Sequence, residues 1–188
     1  NDITSTITID GIFTFNNTST ATNDTRAYIG SNGDITFNGV TTLVNGTSAT
    51  NSQIYCNLNP NSSNSYNENL IVSATDPASD GIRFGESGGS GTLAATKTVT
   101  IGVGGFVAGD LRFRNFTQVG PTAQALTCTG TARIYNYDSN WGGNVTFIAP
   151  RMNTRGTTYN GTSYLEKNGA TNDASVGGNT FVLNSELR

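Results

Sequence analysis

Histidine is absent from these 188 residues. That absence removes the commonest general base, the usual metal ligand and every Ser-His-Asp or Cys-His nucleophile arrangement. Charged side chains make up only 12% of the chain. Stretches carrying the Ala, Leu, Glu and Lys of a stable helix are few, so essentially no long helix is expected. The only cysteines are Cys56 and Cys128, too few for the disulfide framework on which small secreted domains rest. No run of about 18 apolar residues occurs, so no membrane span is expected. The start at Asn1 lacks the charged, apolar and small-residue order of a signal peptide, which predicts a mature or excised segment.

Net charge is −3 with a pI near 4.7, which lacks the footprint of a phosphate-binding surface and excludes nucleic acid as an expected partner. The charge is also uneven. Residues 1–80 hold one basic side chain, Arg26, against seven acidic ones, whereas residues 81–188 hold nine basic and six acidic.

What the chain does contain is Gly, at 23 residues, with abundant Asn, Thr and Ser. Thr, Val, Ile, Phe and Tyr suit a pleated surface, and Gly and Asn supply turns. Such a composition also describes disordered chains, but regular apolar alternation argues against disorder here. One pattern of apolar, polar, apolar recurs at Phe13-Thr14-Phe15, Ile35-Thr36-Phe37, Leu70-Ile71-Val72, Val99-Thr100-Ile101, Leu126-Thr127-Cys128 and Val145-Thr146-Phe147, the third with Ile in the polar place. A second series interleaves with it: Ala27-Tyr28-Ile29, Ile54-Tyr55-Cys56, Ile82-Arg83-Phe84, Leu111-Arg112-Phe113, Ile134-Tyr135-Asn136 and Ser163-Tyr164-Leu165.

Strand side chains alternate between faces, so the outer members of each triplet face a core and the middle member faces out. Copies within a series lie roughly 19 to 35 residues apart, within the range of solenoid coils with parallel strands. The expected fold is all-β: one module over residues 1–188, a parallel β-solenoid of about six coils with two or three strands each. The alternative is an antiparallel β-sandwich, kept open by Asn32-Gly33, Asn38-Gly39, Asn45-Gly46, Asp80-Gly81, Asn160-Gly161 and Asn168-Gly169, which suit tight hairpins. On the solenoid register Cys56 and Cys128 fall in different columns with coils between them, which predicts two free, inward thiols.

Both ends read as strands without a polar cap: Ile3, Ile7, Ile9 and Ile12 at the start, and Thr180-Phe181-Val182-Leu183 at the finish. The expected partners are therefore flanking repeats or identical copies stacked end to end.

The stretch Gly91-Thr92-Leu93-Ala94-Ala95-Thr96-Lys97-Thr98-Val99-Thr100-Ile101-Gly102 and the Gly-Thr-Ala at Gly130 resemble repeats of very large surface proteins of Bacteroidetes. So does the run from Thr157 to Ser175, with Gly177-Gly178-Asn179-Thr180-Phe181 after it. The two stretches that hold these words, Gly91 to Ala132 and Arg155 to Phe181, cover about a third of the chain. The resemblance implies an exported, repeat-built, adhesin-like protein on the cell surface, with no catalytic residues to carry over. The expected function is a structural module of an extracellular filament or adhesin, giving a long rigid stalk with surface or glycan attachment.

Carbohydrate-cleaving β-helices form the alternative. Glu86 and Asp138 each follow a column start by four residues, and coils two apart would place them about 10 Å apart, near the limit for an inverting pair. The simpler reading is that turn carboxylates cap backbone N–H groups. Gly88-Gly89-Ser90-Gly91 and Gly102-Val103-Gly104-Gly105 lack the following helix and Lys-Ser/Thr of a phosphate loop, and read as coil corners. Regularly placed Asp after Gly-Gly, as in calcium-binding nonapeptide repeats, is missing, so no metal or other cofactor is expected. Eight Asn-x-Ser/Thr sites occur, at Asn16, Asn17, Asn23, Asn45, Asn61, Asn115, Asn144 and Asn160. An Asn- and Thr-rich chain produces these by chance. The one suggestive surface feature is the middle column of the second series: Tyr28, Tyr55, Arg83, Arg112, Tyr135 and Tyr164. As an outward ladder it stabilises its face through cation-π contacts, or it offers aromatic faces and guanidinium forks to a surface glycan.

Overall fold

A computed structural model describes residues 5–20, 24–49, 51–173, 175 and 177–188; Ile3, Asn23 and Ala174 lie outside them. The chain winds as a spiral of short strands, three to a coil through the first six coils. The first coil holds β1 (Ser5–Ile9), β2 (Phe13–Asn17) and β3 (Ala27–Ile29), and the second β4 (Gly33–Phe37), β5 (Thr41–Asn45) and β6 (Ile54–Cys56). The third holds β7 (Ser63–Tyr66), β8 (Leu70–Ala74) and β9 (Gly81–Phe84), and the fourth β10 (Ser90–Leu93), β11 (Val99–Phe106) and β12 (Asp110–Arg114). The fifth holds β13 (Phe116–Gln118), β14 (Gln124–Thr127) and β15 (Arg133–Tyr137), and the sixth β16 (Asn140–Trp141), β17 (Val145–Ala149) and β18 (Arg151–Arg155). β19 (Thr158–Tyr159), β20 (Ser163–Lys167), β21 (Thr180–Phe181) and β22 (Ser185–Leu187) continue the stack.

Each strand pairs with its counterpart one coil away, and every pair among the described residues is parallel. The fold is the parallel β-solenoid, and the antiparallel sandwich is excluded. The stack is taller than six coils. Its first face is one sheet of eight strands from β1 to β21, its third face a sheet of six from β3 to β18, and its second face is divided into two four-stranded sheets, β2 to β11 and β14 to β22.

The register explains where the two sequence series went astray. Ile35–Phe37 belongs to β4 on the first face, and the second-face strand of that coil is β5, whose Thr-Thr-Leu-Val-Asn opens on a polar inward residue. Ser163–Leu165 belongs to β20 on the second face, while the third face continues through β18, where Asn153 and Thr154 break the apolar alternation.

Inside, identical positions stack into columns along the axis. The first face carries Ile9, Phe37, Tyr66, Leu93, Gln118, Trp141, Tyr159 and Phe181 in successive register. Phe37 lies flat on Tyr66 at 5.2 Å, as Tyr159 does on Phe181 at 5.0 Å and Phe84 on Phe113 at 5.4 Å. Offset-stacked rings of this kind add to the area they bury. Trp141 closes the centre edge-on to Phe113 and Phe147. Cys56 and Cys128 are free and buried, as the register required.

Polar residues turned inward find partners at the corners. Asn45, fully buried, donates from Nδ2 to the carbonyls of Ser52 at 2.6 Å and Gly81 at 3.0 Å, and accepts from Asn17 Nδ2 at 3.2 Å. At the corner before the third face, Gly81 (φ 95°) and Gly109 (φ 71°) let adjacent coils meet backbone to backbone; a Cβ on either would overlap Asp110 or Asp80.

Candidate functional site

The third face presents the outward ladder, because on β12 Leu111 and Phe113 point inward and leave Asp110, Arg112 and Arg114 outside. Five of the six sequence-nominated residues stand in register on it: Tyr28, Tyr55, Arg83, Arg112 and Tyr135. The sixth does not. Tyr164 sits on β20 of the second face, between Thr146 and Glu186, and its hydroxyl donates to Glu166. The ladder's next rung is Asn153.

Tyr28 and Tyr55 stack at 5.3 Å and 9°, and the Arg83 guanidinium lies 5.7 Å from the Tyr55 ring. Further along, Tyr135 has two guanidinium neighbours, Arg112 at 4.7 Å and Arg133 at 4.0 Å. Burial pushes the Tyr135 and Tyr55 hydroxyls above their ordinary pKa, against the opposing pull of the arginines.

Sequence reasoning placed Glu86 at a turn as a backbone cap and did not foresee that carboxylates hold this face together. Asp110, one column over, takes Arg83 at 3.2 Å, Arg112 at 3.3 Å and Arg133 at 2.9 Å. Glu86 binds Arg112 through both oxygens, at 2.7 and 3.0 Å. Asp173, almost wholly buried, takes Arg151 at 3.1 Å and accepts from the Met152 amide at 3.1 Å. The signals in the sequence were the turn carboxylate Glu86 and the crowding of basic residues after position 80. Ion pairs this enclosed, with several hydrogen bonds each, brace the sheet face more than isolated surface pairs do.

The chemical options narrow accordingly. Glu86 is fully engaged with Arg112, so it is held as an ion-pair partner, while Asp138 turns at φ 49° after β15 at the same corner, two coils on. Among the described residues no group of three or more Asp, Glu or Cys could hold a metal ion. Beside the ladder lies an open polar concavity of about 360 Å³, lined by Asp80, Arg83, Asp110, Arg133 and Arg151. Gly88 and Gly89 do form a coil corner, but Gly102–Gly105 forms a bulge within β11 that interrupts its pairing with β8 and leaves Val103 99% exposed. Of the Asn-x-Ser/Thr sites, Asn17 and Asn45 are buried and hydrogen-bonded, out of reach of any modifying enzyme, whereas Asn16, Asn61 and Asn144 are exposed.

Comparison with known protein families, with curated proteins and with solved structures finds no match.

Proposed function

We propose that this chain is a structural segment of an extracellular cell-surface filament or adhesin, in which stacked coils make a rigid stalk. The observation that carries the reading is the continuity of the first face: eight parallel strands hydrogen-bonded in one uninterrupted series over a column of large side chains. A ladder of that kind is stiff along its axis and hides its amides from proteases. The side faces support the same reading, since the arginines of the ladder are occupied by Asp110 and Glu86 instead of being directed at a reacting centre. The resemblance to Bacteroidetes surface repeats supports an extracellular setting.

Neighbouring coils are the natural partners, whether flanking repeats or further copies. Apolar side chains stand exposed at both ends of the stack, Ile7 (50%) and Ile12 (78%) at one and Val182 (54%) and Leu187 (63%) at the other. Adding strands in register would cover them. Electron microscopy of native material tests the reading. Eight layers at strand spacing correspond to an axial repeat of about 38 Å, and fibres showing that repeat are expected. Dispersed compact particles without end-to-end contact would count against it.

A further inference from the structure

The outward residues of β12, β15 and β18 form three columns in register: Asp110, Arg133 and Arg151; Arg112, Tyr135 and Asn153; Arg114, Tyr137 and Arg155. The first two columns are tied together by the carboxylates described above. The third is not. Neither Arg114 nor Arg155 has a carboxylate within ion-pairing distance among the described residues. Arg155 is exposed, and Arg114 is half-buried with its Nε shielded from water and without a hydrogen-bond partner. Asp138, which directly follows Tyr137, has its carboxylate beside Gly156 and pairs with neither arginine. Tyr137 stands between the two arginines. Its ring meets Tyr135 edge-on at 5.1 Å and 73°, and no guanidinium lies over it, in contrast to Tyr135.

Two uncompensated guanidinium groups on a chain of net charge −3, flanking an uncovered aromatic ring, make a surface suited to an anion. We infer that this column binds an anionic polysaccharide: Arg114 and Arg155 each take a carboxylate or sulfate, and Tyr137 lies against the sugar ring between them. The spacing fits. Two strand steps separate the arginines by about 9.6 Å, comparable with the interval at which the acidic group recurs in an extended chain of alternating acidic and neutral sugars. A nucleic-acid duplex, with its dense phosphates, calls for a broad basic surface that a chain of net charge −3 does not offer. Guanidinium forks suit carboxylate and sulfate, and flat aromatic faces suit sugar rings. The site goes beyond the stalk reading, because it needs only the register of the third face and no stacking of copies.

The test measures binding of the intact chain to hyaluronan oligosaccharides, whose uronic acid recurs at every second sugar, against neutral dextran oligosaccharides of equal length. Wild-type binding to hyaluronan that weakens as salt rises is expected. R114Q/R155Q is expected to weaken it at least about tenfold and R155Q about threefold, while R26Q, which changes an arginine already paired with Asp24, leaves it unchanged. Because Arg155 is exposed and unpaired, R155Q retains the fold and keeps the test decisive even where R114Q disturbs β12. No hyaluronan binding, equal binding of dextran, or an unchanged affinity in R114Q/R155Q would overturn the inference. Equally tight binding of duplex DNA with the same loss in the double variant would also overturn it, marking a general polyanion patch.

Discussion

Raising the pH from 7 to 10 is expected to destabilise the fold through its two thiols. Cys56 lies inside the third face, wholly buried with the Tyr66 hydroxyl as its hydrogen-bond neighbour, and Cys128 lies behind β14, equally buried. Burial pushes both thiols up to about 12 from an ordinary value of 9.0. The folded state therefore keeps protons that the unfolded chain releases above pH 9, so stability is complete below pH 9 and falls from there until about pH 12. At pH 10, one unit above the unfolded value, each unfolded thiol gains RT ln 11, about 1.4 kcal/mol, and the pair about 3 kcal/mol. Tyr66 and Tyr159 are raised by burial too, but unfolded phenols are only half ionised at pH 10 and add about 0.4 kcal/mol each. Urea unfolding under reducing conditions, at both pH values, separates the contributions. Wild type should lose about 3 kcal/mol more between pH 7 and 10 than Cys56→Ala/Cys128→Ala. Equal losses in the two proteins would refute the burial of the thiols and with it the register that turns them inward.

Asp110→Ala should lower stability by about 3–5 kcal/mol, because it strips a shared carboxylate from Arg83, Arg112 and Arg133; a thermal melt unchanged from wild type would show the ion-pair network to be idle. Trp141→Ala should cost about 3–5 kcal/mol in urea, since it empties the centre of the core and leaves Asn136 Oδ1 without the indole donor now at 3.2 Å. The same residue is the only tryptophan, so native emission should be blue-shifted and should move red on unfolding. Val103→Asp, at the tip of the β11 bulge, should change the urea midpoint by no more than about 0.5 kcal/mol equivalent.

Two of the three faces were legible because their strands alternate cleanly: Leu70, Val72, Val99 and Ile101 on one, Ile54, Ile82, Phe84 and Leu111 on the other. Between β4 and β21 the first face was not. Its strands read Ser-Asn-Ser-Tyr, Ser-Gly-Thr-Leu and Asn-Trp, each contributing one large inward residue and otherwise short polar ones. That is too sparse a period-2 signal to distinguish from loop. The third-face column was extended to Tyr164 because buried Asn153 and Thr154 hide the true strand β18; their environment is set by neighbouring coils, which sequence spacing does not reveal. The ladder residues themselves were found, but their role depends on Asp110 and Glu86, which reach Arg83 and Arg112 from neighbouring coils, 27 and 26 residues away along the chain.

The coil corners show where such a rod would yield. The turn from first to second face takes the same short step in most coils, from Ile9 to Phe13, Phe37 to Thr41 and Tyr66 to Leu70. There an amide ladder locks it: Asn38 Nδ2 donates to Asp10 at 2.7 Å and Asn67 Nδ2 to Asn38 at 2.8 Å. The next two corners are longer, Leu93 to Val99 and Gln118 to Gln124. At that level the second face divides, and β11 and β14 are not hydrogen-bonded to each other as strands. The Gln124 side chain substitutes for the missing pair, accepting from the Val99 amide at 2.8 Å and donating to the Lys97 carbonyl at 3.0 Å. This side-chain amide, with the Thr129 N–H on the Phe106 carbonyl at 3.0 Å, stands where several backbone bonds join the other layers, while the first and third faces run through unbroken. Bending of the stack is therefore expected to concentrate between β11 and β14, opening the second face and leaving the arginine-bearing third face in register.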